Sequence, residues 1–294
     1  MLFSADPNVN NLSKTEGASV YMTRIRRISA ALMVAGVLGV AAPAAASATT
    51  TITISGATAS YPLVSLLAAK YVKLYPHRAR FKIAQGGAQV GVNDVAAGRV
   101  TIGDVSRDPL STDPPGLVFY PIARYAICVI TNKANPLSNL TSAQLLSIFT
   151  GKTRTWSSAL AGATQTGTID VISRQQGAGV LSSFETLLME GKKIPGTFPE
   201  KISEGQLKAA VEGDPASIGF VSNYQAEKGG VNVAGLGGVA CNKADAISGQ
   251  YPGVARFYEV TKGEAKGAAA KFIGWIGHSA AARKIISSQW LPVT

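Results

Sequence analysis

Short β-branched runs alternate along the chain with helical stripes of apolar residues, and small-residue turns join each run to the next stripe. Residues 51–54 alternate threonine with isoleucine and predict a strand. The turn 55–60 follows. Pro62 then opens a helix, with Ser60 placed to cap it and Val64, Leu67, Ala68, Tyr71 and Val72 as its buried stripe. Residues 80–84 predict a second strand, followed by a glycine-rich turn at 85–91 and a helical segment at 92–97 that Gly98 closes. A third short strand at 100–102 leads into a polar turn at 103–109, and 117–123 and 124–131 are two further β-rich runs. Strand, turn and helix repeated at this spacing predict an α/β fold with largely parallel sheets.

Asn, Pro and Ser interrupt the pattern at 132–139, as a linker or hinge would. A second unit starts at Thr141-Ser142-Ala143-Gln144, a capping-box pattern that opens a helix through Phe149 with Gly151 to end it. A strand at 168–172 feeds Ser173-Arg174-Gln175-Gln176-Gly177-Ala178-Gly179-Val180, and a helix runs over 180–190. That polar turn exposes unpaired N–H groups at the positive end of a helix, and Arg174 adds a charged fork, so it reads as an anion cradle. Ser203-Glu204-Gly205-Gln206 is another capping-box pattern ahead of 207–211. Residues 217–221 and 231–234 are apolar strands, 246–263 contains a Tyr251-Pro252-Gly253 turn, and 267–277 and 280–289 read as helices.

At the N-terminus, Arg24, Arg26 and Arg27 precede an apolar stretch at 28–42 and a small-residue run ending in Ala46-Ser47-Ala48. This is the layout of a secretory signal peptide over 22–48, cleaved after Ala48 or Ala46. Its apolar core is shorter than the ~20 residues a spanning helix requires. Residues 1–21 sit awkwardly ahead of the basic region, so translation is expected to begin at Met22. The mature chain is then long enough for one large domain or two lobes.

The net charge of +11 favours anionic partners, from small oxyanions to acidic polymers. No basic run interleaves with aromatics, so nucleic acid is not expected. Cys128 and Cys241 are the only cysteines; an exported chain could join them in a disulfide or keep two buried thiols, and both readings stand. His77 and His278 lie at no ligand spacing, so no metal is expected. Neither a cofactor nor a catalytic residue is expected, because Ser173, Ser182 and Ser183 have no general base nearby in sequence.

A set of motifs in fixed order carries a resemblance. They are Ser55-Gly56-Ala57-Thr58, Gly86-Gly87-Ala88-Gln89-Val90-Gly91 with Ala97-Gly98, Ile102-Gly103-Asp104-Val105-Ser106-Arg107, and Arg174-Gln175-Gln176-Gly177-Ala178-Gly179 with Phe184. Asn139-Leu140-Thr141, Ile148-Phe149-Thr150-Gly151-Lys152, Trp156, Ile218-Gly219-Phe220-Val221, Tyr251-Pro252 and Arg256-Phe257-Tyr258 complete the set. Over essentially all of its mature length the chain resembles the phosphate-binding proteins of ABC transporters.

The resemblance implies a type II periplasmic-binding-protein fold: two α/β lobes, two crossover strands and a ligand cleft between the lobes. Lobe one would span 49–130 plus 241–294 and lobe two 131–240, which puts Cys128 and Cys241 near the crossings and favours their disulfide. The implied anion contacts are Ala57, Thr58, Ser60, Gly87, Ala88, Gln89, Ser106, Arg107, Arg174, Gly177, Ala178 and Gly179. The implied function is capture of phosphate or a similar oxyanion outside the cytoplasm by a monomer that delivers it to a membrane permease. Where family members carry hydroxyl residues this chain has Ala57, Gly87-Ala88 and Gly177-Ala178-Gly179-Val180, and Asp104 lies near the position of an aspartate that accepts from protonated phosphate. The plain complement supports an alternative, a secreted interaction or cell-envelope-binding protein of the same fold with weak or no small-anion binding.

Overall fold

The computed structural model of the chain describes residues 49–157, 160 and 162–293. The expected signal peptide, its cleavage sites and the Met22 start lie outside these residues. The first half contains β1 (Thr50–Gly56), α1 (Tyr61–Leu74), β2 (Ala79–Gln85), α2 (Ala88–Ala96), β3 (Ile102–Val105), β4 (Leu117–Asn132), β5 (Asn139–Leu140) and α3 (Ser142–Phe149). Then come β6 (Thr155–Trp156), β7 (Gly167–Thr168), β8 (Asp170–Val171), β9 (Ser173–Arg174), α4 (Gly179–Leu188), β10 (Glu200–Lys201) and α5 (Glu204–Gly213). The chain continues through β11 (Ser217–Ser222), α6 (Asn223–Ala226), β12 (Val231–Leu236), α7 (Lys243–Ser248), β13 (Val254–Lys262), α8 (Gly267–His278) and α9 (Ala280–Gln289). No helix among the described residues is long and apolar enough to cross a membrane.

The main sheet runs β2-β1-β3-β13-β4-β11-β8, with β12 against β4 and β5. Its centre is β4, which is one strand of 16 residues rather than the two runs expected from sequence. No turn residue divides 117–132, and Pro121 is absorbed by a register shift opposite Phe257 and Tyr258, where its missing N–H is not required. Residues 117–126 of β4 pair with β13, while 127–132 pair with β11 and β12. One strand therefore belongs to both halves of the molecule, as the two-lobed periplasmic-binding-protein architecture requires.

The sheet is mixed, not largely parallel. β1 is parallel to β2 and β3, and β8 is parallel to β11, but β13 is antiparallel to β3 and β4, and β4 is antiparallel to β11 and β12. The cause is the long return of the chain: β13 comes back from residue 254 and inserts between β3 and β4, a pairing that no local pattern announces.

Several sequence motifs turn out to be scaffold. Phe184 of α4 stacks on Phe220 at 4.1 Å and meets Phe149 edge-on at 4.8 Å, which fixes α4 against β11 and α3. Such aromatic pairs add about 0.5–1.5 kcal/mol beyond the area they bury. Tyr251 donates its hydroxyl to Ile127 O at 2.7 Å and so ties the Tyr-Pro-Gly turn to β4. Thr141 forms the expected capping box with Gln144, its hydroxyl accepting from Gln144 N and the glutamine side chain accepting from Thr141 N. Ser203 caps α5 by accepting from Gln206 N. Cys128 in β4 and Cys241 beyond β12 are joined by a disulfide across a Cα separation of 5.5 Å.

Candidate functional site

The first turn leaves β1 at Gly56, whose φ of +148° and close approach to β3 exclude a side chain: a Cβ there would lie 2.0 Å from Asp104 O. Ala57 N donates to Asp104 O at 2.9 Å, and Gly56 O accepts from both Gly86 N and Gly87 N at 2.8 and 2.9 Å. These bonds weld the turn after β1 to the turn after β2. They also commit the amides of Ala57 and Gly87, two of the expected anion donors, to the fold itself. Ser60 does not cap α1. Its hydroxyl donates instead to Asp104 Oδ1 at 2.5 Å, and both residues are buried.

α2 begins at Ala88, four residues earlier than the helical pattern suggests, because Gly87 adopts φ +100° and releases the chain straight into the helix. Gln89 N donates to Gly177 O at 3.0 Å, which brings the turn before α4 onto the start of α2. Gly179 sits so close that a Cβ on it would lie 2.4 Å from Ser106 Oγ and 2.9 Å from Ala88 Cβ. Arg174 donates from Nη2 to Thr58 Oγ1 at 3.2 Å. The structure thus brings Thr58, Ser60, Ala88, Gln89, Ser106, Arg174, Gly177 and Gly179 into one locus where α1, α2 and α4 all begin.

The two arginines differ. Arg107 forks onto Asp113 at 2.6 and 2.9 Å and also donates to Gln89 Oε1 and Asp108 O. Burial pushes Asp113 up, but the Arg107 hydrogen bonds and the Leu110 N–H outweigh it and hold that carboxyl below the usual range. Arg107 therefore closes the loop 107–113, and its charge is matched. Arg174 is 1% exposed, with Nε on Lys201 O at 2.9 Å and Nη2 also on Ile202 O at 3.0 Å. Its Nη1 makes no hydrogen bond among the described residues. Burial lowers its pKa, opposed by the negative charge of Glu204, yet a guanidinium stays protonated at neutral pH.

Ala178 and Val180 are packed in the main hydrophobic core. They bring no hydroxyl to the fourth turn, and both help to anchor α4. Beside the turns lies a cavity of about 160 Å³, lined by Gln89, Arg107, Gln176, Gly177, Ala178 and Lys193 among others. Three helix N-termini, a buried guanidinium whose Nη1 makes no hydrogen bond among the described residues and the hydroxyls of Thr58 and Ser106 can hold a small oxyanion with few other side chains. No cluster of His, Cys, Asp or Glu among the described residues could hold a metal ion.

Four buried polar groups around the site are not among the anion contacts expected from sequence. Tyr125 donates to Ser106 O at 2.7 Å, and Ser183 donates to the same carbonyl at 3.2 Å, so the turn carrying Ser106 is held from two elements. Glu204 accepts from Ser222 N and Ser222 Oγ, both at 2.7 Å. Burial raises its pKa, and Arg174 and Ser222 pull it back. Glu259 is fully buried opposite Asp104. In sequence, Glu204 is indistinguishable from a residue in a helix cap, and Glu259 stands in no motif.

Residues 41–278 match the model of the PBP superfamily domain. The chain belongs to the PBP superfamily. Among PBP relatives, it is 27% identical to the phosphate-binding protein PstS of Bacillus subtilis over 247 residues, covering 83% of this chain and 81% of that protein. A Clostridium perfringens substrate-binding protein assigned to phosphate ABC transport, solved with phosphate bound, superposes with a TM-score of 0.77 at 26% identity, over 83% of this chain and all of that one. An ABC-type phosphate transport receptor from Vibrio cholerae has the same fold, with a TM-score of 0.67 at 24% identity over 82% of this chain and 99% of its own.

Proposed function

We propose that this PBP-superfamily protein captures phosphate or a closely similar oxyanion outside the cytoplasm and delivers it to an ABC permease. The observation that carries this reading is the meeting of three helix N-termini beside Arg174, whose Nη1 makes no hydrogen bond among the described residues, with Thr58 on its Nη2 and Ser106 against the start of α4. Relatives whose names state phosphate binding support the choice of anion. The ligand contacts are Thr58, Ser60, Ser106, Arg174 and the amides of Ala88 and Gly179. Ala57 and Gly87 shape the turns instead, and Arg107 braces the rim. Lobe one comprises 49–130 and 241–294, and lobe two comprises 131–240. The bonds from Gln89 to Gly177 and from Arg174 to Thr58 then cross the cleft and favour its closed form.

The test is calorimetric titration of the mature protein with phosphate, sulfate and molybdate at fixed ionic strength. A saturable response to phosphate is expected. No response to any of the three would refute the reading and favour the interaction-protein alternative, which the committed amides of Ala57 and Gly87 would then explain.

A further inference from the structure

Asp104 of β3 and Glu259 of β13 are register partners on adjacent strands. Val105, Tyr258 and Val260 pack with α2, so Asp104 and Glu259, one position along on each strand, face the other side of the sheet. Both are buried, at 2% and 0% exposure. Asp104 accepts from Ser60 Oγ at 2.5 Å, whereas neither carboxyl oxygen of Glu259 has a hydrogen-bond partner among the described residues.

No cation among the described residues hydrogen-bonds or ion-pairs with the two carboxyls. α1 carries Lys70 and Lys73, α8 carries Lys271 and His278, and α9 carries Arg283 and Lys284; β13 itself carries Arg256 and Lys262. None of these hydrogen-bonds or ion-pairs with either carboxyl among the described residues, and most lie exposed. Arg124 of β4 is held by Pro292 O, and Asp94 of α2 is held by Ser55 and Arg99. Two buried carboxylates this close cannot both ionise without a partner. Burial pushes Asp104 up to about 7 and Glu259 well above the ordinary carboxylate range, Asp104 adding to the second shift.

Ser60 links this pair to the anion site. While Asp104 is ionised, the single Ser60 proton is held by Asp104 and Ser60 Oγ presents only lone pairs elsewhere. Once Asp104 carries a proton it can donate to Ser60 Oγ, and the Ser60 hydroxyl is free to donate to an anion. We infer that Asp104 and Glu259 form an acid pair that couples anion capture to uptake of a proton from solvent: Glu259 stays neutral, and Asp104 is protonated as the anion arrives and turns Ser60 into a donor. The inference rests on the reading that Ser60 lines the phosphate site. Asp104 and Glu259 are positioning residues, acting on the ligand through Ser60.

The sign follows from linkage. Protonated Asp104 favours the bound state, so affinity is highest below the Asp104 midpoint near 7 and falls above it. One linked proton gives a fall of up to about tenfold per pH unit. The experiment is phosphate calorimetry from pH 6 to 8.5 in buffers of different ionisation enthalpy, on wild type and Asp104→Asn, so that the titration of phosphate itself cancels. Wild type should take up more protons per phosphate than the variant and lose affinity more steeply with pH. Identical proton counts and pH profiles would overturn the inference while leaving the phosphate site standing, whereas no saturable phosphate binding by wild type would defeat the site reading itself. Should Asp104→Asn fail to fold, the infrared C=O stretch of a protonated carboxyl in wild type at pH 8, lost in Glu259→Gln, supports the inference; absence of that band from wild type overturns it.

Discussion

Replacement of Arg174 by alanine separates its two roles, holding the anion and matching a buried carboxylate. Arg174 is 1% exposed, and among the described residues its hydrogen bonds come from Nε and Nη2 alone. A charge-assisted hydrogen bond from it to phosphate is worth about 1.5–3 kcal/mol, so the variant should bind phosphate roughly 10- to 150-fold more weakly. The same change removes the positive charge that acts on Glu204, a carboxylate buried to 1% exposure. Arg174 and Glu204 form no direct ion pair among the described residues, so the loss of stability should stay below the ~3–5 kcal/mol that breaking a contacting buried pair costs, and Glu204 can soften it further by keeping its two Ser222 bonds and taking up a proton. The double variant Arg174→Met/Glu204→Gln removes the stranded charge. It should therefore recover most of the stability lost in Arg174→Ala while remaining as weak a phosphate binder. Calorimetric titration and thermal unfolding of wild type and both variants supply the four comparisons needed. Phosphate affinity within threefold of wild type in Arg174→Ala would remove Arg174 from the site. Equal destabilisation in the single and double variants would refute the coupling to Glu204.

Other consequences are as direct. Gly179→Ala should greatly weaken phosphate binding and also lower stability, because the added Cβ would lie 2.4 Å from Ser106 Oγ and 2.8 Å from the Ser106 backbone carbon, so that the turn must shift; titration and thermal unfolding together check it. Reduction of Cys128–Cys241, which closes 113 residues of sequence, should remove about 4–5 kcal/mol, and scanning calorimetry with and without reductant measures the loss. Because Asp104 and Glu259 keep raised proton affinity when folded, stability should fall as pH rises from about 4 towards 7, since only the unfolded chain releases those protons. Glu259→Leu should flatten this trend and raise the melting temperature at pH 8, as seen in unfolding curves at several pH values. Asp113→Asn should loosen the loop 107–113 by unpairing Arg107, which native-state hydrogen exchange at Leu110 N–H would report.

The turns were legible in the sequence because their chemistry is local. Gly86-Gly87, the Pro62 helix start, the Thr141 capping box and the Arg174 stretch each announce themselves through backbone freedom or side-chain reach over a few residues. What was not legible depends on pairings made far along the chain. Nothing near Ala57 or Gly87 reveals that their amides bond to Asp104 O and Gly56 O. Ser60 looked like a helix cap because its partner, Asp104, is 44 residues away. Glu259 carries no local signal, because nothing along 254–262 shows that this strand will be covered on both faces and inserted between two others. Splitting β4 at Ala123 had the same origin, since only its partners show that one strand serves both halves.

The place of β13 also bears on how the molecule assembles. β3 and β4 are separated in the sheet by a strand that is synthesised more than a hundred residues after both. A chain emerging from its N-terminus cannot complete the sheet around β1, β3 and β4 until residue 262 is available, and a β3–β4 pairing formed earlier would have to open again. Contacts of such sequence separation slow folding and keep partly formed strand edges exposed. Late closure of the sheet suits the proposed capture outside the cytoplasm, because a chain exported in extended form would complete its fold only when most of it had arrived on the far side.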